Sequence, residues 1–219
     1  GNTLNNGTYG IISVDTLKAD FIGCSINNNN YTKSVVYIRY TNGYTKDSVV
    51  NFTDCTFNGN STTSSANNSI IELASNTAKV NFDSCTITGN TSGASGSAIK
   101  FAGALTLTDT VITGNTGAHA VSIPTNGTVS IGGNTKIYDN KNTAGEQNNL
   151  YMESAAGKIK ITKALGAQTK IGVYRNGQGK LTEGYGVYHS EHPWDSGKFV
   201  NECADVETST EGESATYEA

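Results

Sequence analysis

Asp54 and Asp109 are the residues of this chain whose placement first suggests catalysis. They occupy one position of a recurring word, "NFTDCTFNGN" (51–60), "NFDSCTITGN" (81–90) and "TLTDTVITGN" (106–115). Ser84 and Asn134 hold that position in other copies, and Asp83 lies one residue earlier. Carboxylates two strand spacings apart are separated by roughly 10 Å, which barely suits a pair working in inverting glycoside hydrolysis. No Lys, Arg or His recurs beside them. Asp54 and Asp109 are therefore expected to form turns, bonding to their own backbone.

Other chemistry-bearing groups are sparser. His119 stands alone, while "YHSEHPW" (188–194) gathers His189 and His192 with Glu191 and Trp194, followed by Asp195. That spacing matches no usual zinc signature, so the segment is expected to be a loop closing one end, with Trp194 packed on the last repeat. Cys24, Cys55 and Cys85 share one column without a Cys-x-x-Cys pair, and are expected to pack inward as free thiols. Cys203 falls outside the repeats. No metal and no cofactor are expected. Binding chemistry concentrates at Tyr31, Tyr37, Arg39 and Tyr44, near the long excursions "TNGYTKD" (41–47) and "STTSSANN" (61–68). Tyr and Arg are enriched at interface hot spots, and exposed rings stack on sugars.

The elements that position these groups follow from the repeat. Aligned on their last residue, five copies place Asn29, Asn60, Asn90, Asn115 and Asn140 in one column, spaced by 31, 30, 25 and 25 residues. Ile26, Phe57, Ile87, Ile112 and Ile137 form an apolar column three residues earlier. Two further alternating runs precede it in each unit, such as "IIEL" (70–73) and "KVNF" (79–82). Three short strands per unit, with no helical period, predict an all-β right-handed parallel β-helix: a three-sided solenoid of about six coils. The Asn column is expected to supply left-handed turns and a stacked amide ladder. In the first strand of each unit, Ser13, Arg39, Glu72, Lys100, Ser122 and Tyr151 are expected to face outward, with charges alternating between neighbours. Outward Thr positions such as Thr56, Thr86, Thr88 and Thr113 degrade along the array, against an ice-binding face.

The boundaries expected are repeats over 1–175, a capping segment over 176–203, and an acidic linker-like tail over 204–219. The tail carries Asp205, Glu207, Glu211, Glu213 and Glu218 without a cation, which leaves +1 on the remainder of a chain whose net charge is −4. Only two arginines are present, Arg39 and Arg175, so a nucleic-acid surface is not expected. No apolar run approaches the ~20 residues of a membrane helix.

"GSAIKFAGALTLTDTVITGN" (96–115) followed by "VSIGGNTKIYDN" (129–140) resembles the β-helix repeats of large bacterial cell-surface proteins. "NNLYMESAAGKIKITKALGAQTKIGV" (148–173) is similar to the segment that closes such arrays in Gram-positive gut bacteria, and "GSAI" with "FNGN" is similar to words of polymorphic outer-membrane adhesins. The resemblance implies a pectin-lyase-like fold. The calcium-binding carboxylates and catalytic base of the lyases are missing, so it implies no catalytic residue here. The resulting expectation is an extracellular, non-catalytic, monomeric module of a bacterial surface protein, an adhesin binding host glycan or host protein. A carbohydrate-active enzyme and a structural stalk are the alternatives.

Overall fold

The computed structural model describes residues 3–4, 10–15, 18–39, 48–62, 67–125, 127–154, 156–175, 179–188, 198–202, 207–211 and 214–218. Tyr44, His189, His192 and Cys203 lie outside these residues. Long parallel sheets curl around a single apolar core, giving a parallel β-solenoid.

Three stacks of strands make up its faces. The first contains Ile12–Val14, Val36–Ile38, Ile71–Leu73, Ser97–Phe101, His119–Ile123 and Leu150–Met152. The second contains Lys18–Ile22, Val49–Thr53, Lys79–Asp83, Ala104–Thr108, Thr128–Gly133, Lys158–Leu165 and Thr182–Glu183. The third contains Ser25–Asn27, Thr56–Asn58, Thr86–Thr88, Val111–Thr113 and Lys136–Ile137. The longer strand Lys170–Arg175 pairs with both Lys136–Ile137 and Leu150–Met152, which joins the first and third faces at one end.

Period-two patterning decides what each strand buries. In the second face Val50, Val80, Leu105, Val129 and Ile159 align, as do Phe52, Phe82, Leu107, Ile131 and Ile161. All ten are buried. Phe52 stacks on Phe21 at 4.8 Å and on Phe82 at 5.0 Å between centroids, and Phe57 meets Phe52 edge-on at 5.3 Å. The third face aligns Ile26, Phe57, Ile87, Ile112 and Ile137, as its repeat column predicts. A slip of one residue would turn every one of these side chains to solvent, so the pattern fixes the register.

One sequence expectation is corrected here. In the first face the residue beside Glu72 is Tyr37, not Arg39. The aligned column reads Ser13, Tyr37, Glu72, Lys100, Ser122 and Tyr151. Arg39 follows that strand, donates its N–H to the Val14 carbonyl and pairs with Asp15 at 3.3 Å. The inward positions Val36 and Ile38 set the register, because burying both outweighs a charge alternation at the surface. The acidic segment also contains paired strands. Glu207–Glu211 and Ser214–Glu218 pair antiparallel, and the latter also pairs with Gly179–Lys180. Thr208, Thr210 and Thr216 supply β-branched residues there, a preference that charge counting overlooks.

Candidate functional site: corner ladders and outer faces

Two corners of the solenoid are built from ladders, and these absorb most of the polar residues that the repeat singles out. At one corner each third-face strand is followed by a residue of the asparagine column, Asn29, Asn60, Asn90, Asn115 or Asn140. Asn29 N–H and Nδ2 both donate to Asn60 Oδ1 at 3.0 Å. Asn60 donates in the same way to Asn90, Asn90 to Asn115, and Asn115 to Asn140, at 2.8–3.0 Å. The second amide proton of Asn60, Asn90, Asn115 and Asn140 reaches back to the carbonyl of Ile26, Phe57, Ile87 and Ile112. Burial without loss of hydrogen bonds is thereby achieved at every step.

The backbone role expected of these asparagines belongs to their neighbours. Positive φ occurs at Asn28, Gly59, Gly89, Gly114 and Asp139, each immediately before a ladder Asn. Glycine has no Cβ to clash in that region, which explains the recurring Gly-Asn pair. The ladder also continues beyond its sequence signal. Asn140 N–H and Nδ2 donate to Asn149 Oδ1 at 3.0 and 2.7 Å. Asn149 in turn donates its N–H to Glu202 Oε2 at 2.9 Å and its Nδ2 to Glu202 Oε1. Burial pushes the Glu202 carboxyl above its ordinary value, partly opposed by those two bonds. Spacing conceals both residues: Asn149 follows Asn140 by 9 residues instead of 25 to 31.

The opposite corner carries the thiol column. Cys55 Sγ accepts the Cys24 N–H and Cys85 Sγ accepts the Cys55 N–H, both at 3.4 Å. Thr110 Oγ1 and Thr135 Oγ1 continue the same bonds at 3.4 Å. Each thiol or hydroxyl also lies within hydrogen-bond reach of carbonyls: Cys55 of Phe21 and Thr53, Cys85 of Phe52 and Asp83, Thr110 of Phe82 and Thr108. Cys24, Cys55 and Cys85 are free thiols. Desolvation pushes the Cys55 thiol up and the Cys85 thiol to about 11, so neither is a ready nucleophile. These sulfurs do more than fill space, since they pair backbone groups that a Val or Ala would leave open.

Asp54 and Asp109 occupy turns as expected, but Asp109 bonds to the next layer and to a lysine rather than to its own backbone, which corrects the sequence reading. Asp54, Ser84 and Asp109 have φ of 52°, 55° and 47°. Asp109 accepts the Asn134 N–H at 2.7 Å and the Lys163 ammonium at 2.9 Å, and these hold its carboxyl below the usual range. A carboxylate so held is a poor proton donor at neutral pH. Nearby on the second face, Asn81 donates to Asn51 at 2.8 Å and Asn51 to Asp20 at 2.7 Å, an outward amide ladder. Among the described residues no three His, Cys, Asp or Glu side chains come together as a metal site.

The four binding residues read from the sequence divide. Tyr31 is 2% exposed and belongs to the interior. Tyr37 stands half-buried on the outer side of the first face. Arg39 is half-buried in its pair with Asp15. Tyr44 is not among the described residues. A different aromatic group emerges further along the same face, where the His119 ring stacks on Tyr151 at 4.0 Å and Tyr151 lies 5.6 Å from Tyr174. His119 Nδ1 also lies 2.7 Å from Asn148 Oδ1, and burial pushes its pKa down. On the third face Lys170 Nζ sits 3.4 Å above the Tyr138 ring. These groups come from different units, and only the strand register reveals that they meet. No family model, curated protein or solved structure matches the chain.

Proposed function

We propose that this chain is an extracellular, non-catalytic binding module of a bacterial surface protein, recognising a glycan or a host protein through its outer faces. In finer terms its solenoid is read as a right-handed, pectin-lyase-like β-helix of about six coils. The observation that carries this reading is where the polar chemistry is spent. Both corner ladders satisfy their own backbone, the interior is filled by side chains, and Asp109 is tied to Lys163 and a backbone N–H. Recognition is left to the faces and to loops held by a rigid scaffold.

The test compares the full chain with a Tyr37→Ala/Tyr44→Ala double variant and an Asp54→Ala/Asp109→Ala double variant. Each is applied to arrays of glycans and host extracellular proteins, and each is assayed for sugar release from acidic and neutral polysaccharides. The expected result is binding by the wild type, loss of at least tenfold in the tyrosine variant, and no sugar release by any of the three. Sugar release that disappears with the aspartates replaces this reading with a polysaccharide-active enzyme. Absence of any binding replaces it with a structural stalk.

A further inference from the structure

The corner that carries the asparagine ladder opens on Asn28-Asn29-Asn30, keeps a Gly-Asn-Ser/Thr triplet for three layers and then departs from it. Upstream it reads Gly59-Asn60-Ser61, Gly89-Asn90-Thr91 and Gly114-Asn115-Thr116, and then it reads Asp139-Asn140-Lys141. The third residues of these triplets are bridged in parallel from Ser61 to Thr91, Thr116 and Lys141. Two small residues are therefore replaced, at equivalent positions of the next layer, by a carboxylate and an ammonium. The fold itself asks only for a positive φ at the first of them, which glycine supplies more easily than aspartate.

A depression of about 450 Å³ lies at this layer, lined by Gly114, Asn115, Thr116, Asp139, Lys141 and Gln147. That volume falls in the lower part of the roughly 300–1,000 Å³ range of small-ligand sites. Within this lining the ladder residue Asn115 is buried, and Asp139, Lys141 and Gln147 are exposed.

We propose that this depression is a subsite for one or two neutral pyranose rings of a glycan, an inference that rests on the binding-module reading above. Neutrality follows from the charges. Asp139 and Lys141 both belong to the lining, Lys136 lies 3.7 Å from Asp139, and Glu146 of the adjoining loop is bonded to Asn142 at 2.7 Å. The local balance is two cations against two anions, with no net field to recruit an ion. A strong acceptor, a cationic donor and an amide that offers both functions are the groups that hydroxyl-bearing rings require.

The site is also built in advance of any ligand. Gly114 N–H donates to Asp139 O at 3.0 Å, Lys141 N–H to Asn115 O at 2.9 Å, and Gly117 N–H to Lys141 O at 3.1 Å. Gln147 is carried on a loop that returns to pair antiparallel with Lys141. Asn142 Oδ1 accepts the N–H groups of Ala144 and Glu146 at 2.9 and 3.0 Å, which locks that loop from inside. Little backbone ordering remains to be met when a ligand arrives, and the ordering cost falls on the exposed Lys141 and Gln147 side chains.

The upstream repeats supply the variant that tests this. Asp139→Gly/Lys141→Thr restores the Gly-Asn-Thr triplet that the preceding layers already fold with, so a melting temperature within a few degrees of wild type is expected. The isotopically labelled full chain is titrated with cellobiose, lactose and mannobiose, with an acidic galacturonate disaccharide, and with an uncharged tetrapeptide, while backbone amide signals are followed. The expected result is movement of the Gly114, Thr116, Lys141 and Gln147 amides with at least one neutral disaccharide, with Kd on the order of 1 mM. At least tenfold weakening is expected in the double variant. Movement with only the acidic sugar or the peptide, or with none of the neutral sugars, overturns the subsite. A chain that binds an arrayed glycan equally well with and without the double substitution also overturns it, while leaving the binding-module reading intact. A chain that binds nothing on the arrays removes both.

Discussion

Asn90 contributes through its side chain rather than its backbone, and this determines what its loss should cost. Its Oδ1 accepts two donors from Asn60 and its Nδ2 serves both Phe57 O and Asn115. Asn90→Ala leaves those partners buried without a replacement, so a loss of about 1–3 kcal/mol is expected in chemical denaturation. Thr86→Ala, on the outer side of the adjacent strand, should cost under about 0.5 kcal/mol. Equal losses at the two sites would contradict the ladder. Glu202 gives the column a pH dependence at its end. Its folded pKa is raised above 4.5, so the folded chain retains a proton that the unfolded chain has released. Its contribution to stability therefore declines as pH rises through 4.5, and levels off above the folded value. Asp109 acts in the opposite sense: its contribution is present above 3.8 and is lost as pH falls through its lowered value. Melting temperatures of wild type and Glu202→Gln from pH 4 to pH 7 should differ in slope, with the decline on the alkaline side of 4.5 missing from the variant. For the thiols, native-state alkylation at neutral pH should modify Cys24 first, because Cys55 and Cys85 are buried and their pKa values are raised. Reductant should not shift the melting temperature.

At the scale of elements, alternation carries nearly all of the information that the sequence offers. "VVNF", "KVNF" and "LTL" announce strands because their odd and even positions must face different media, and the aligned Phe21, Phe52 and Phe82 rings follow from that register. What alternation misses is instructive. "VYIRY" admits two registers by composition, and only burial of Val36 and Ile38 selects the one that leaves Tyr37 beside Glu72. The hairpin of Glu207–Glu211 with Ser214–Glu218 is hidden because the segment matches no repeat column and reads by composition as solvated acid. The candidate site was still less legible. The stack of His119, Tyr151 and Tyr174 joins residues from separate units, and the Asp139–Lys141 step looks like repeat decay until the corner is seen as a surface. Phe82→Ala tests the element-scale account: removing a ring stacked on Phe52 at 5.0 Å and set edge-on to Phe57 at 5.9 Å should cost about 3–5 kcal/mol.

Across the whole molecule, strands of each stack bond to the layers on either side, so stability should behave as a chain of nearest-neighbour couplings. Ile26, Phe57, Ile87, Ile112 and Ile137 provide a graded series for examining this, since they occupy one buried column at successive layers. A charge placed in that column has no partner in the apolar interior and must either escape or open its layer. Ile87 pairs with Phe57 on one side and Ile112 on the other, whereas Ile26 pairs with Phe57 and lies in the outermost strand of its stack. Ile87→Asp is therefore expected to break coupling in both directions, and Ile26→Asp to fray one end. Amide hydrogen exchange distinguishes the two outcomes strand by strand. In Ile26→Asp, protection should fall in Ser25–Asn27 and Thr56–Asn58 while Ala104–Thr108 and Leu150–Met152 exchange as in wild type. In Ile87→Asp, protection should fall on both sides of Thr86–Thr88, reaching Ala104–Thr108. Uniform loss of protection in both variants would mean that the solenoid unfolds as one cooperative block, and that its layers are not the units of its stability.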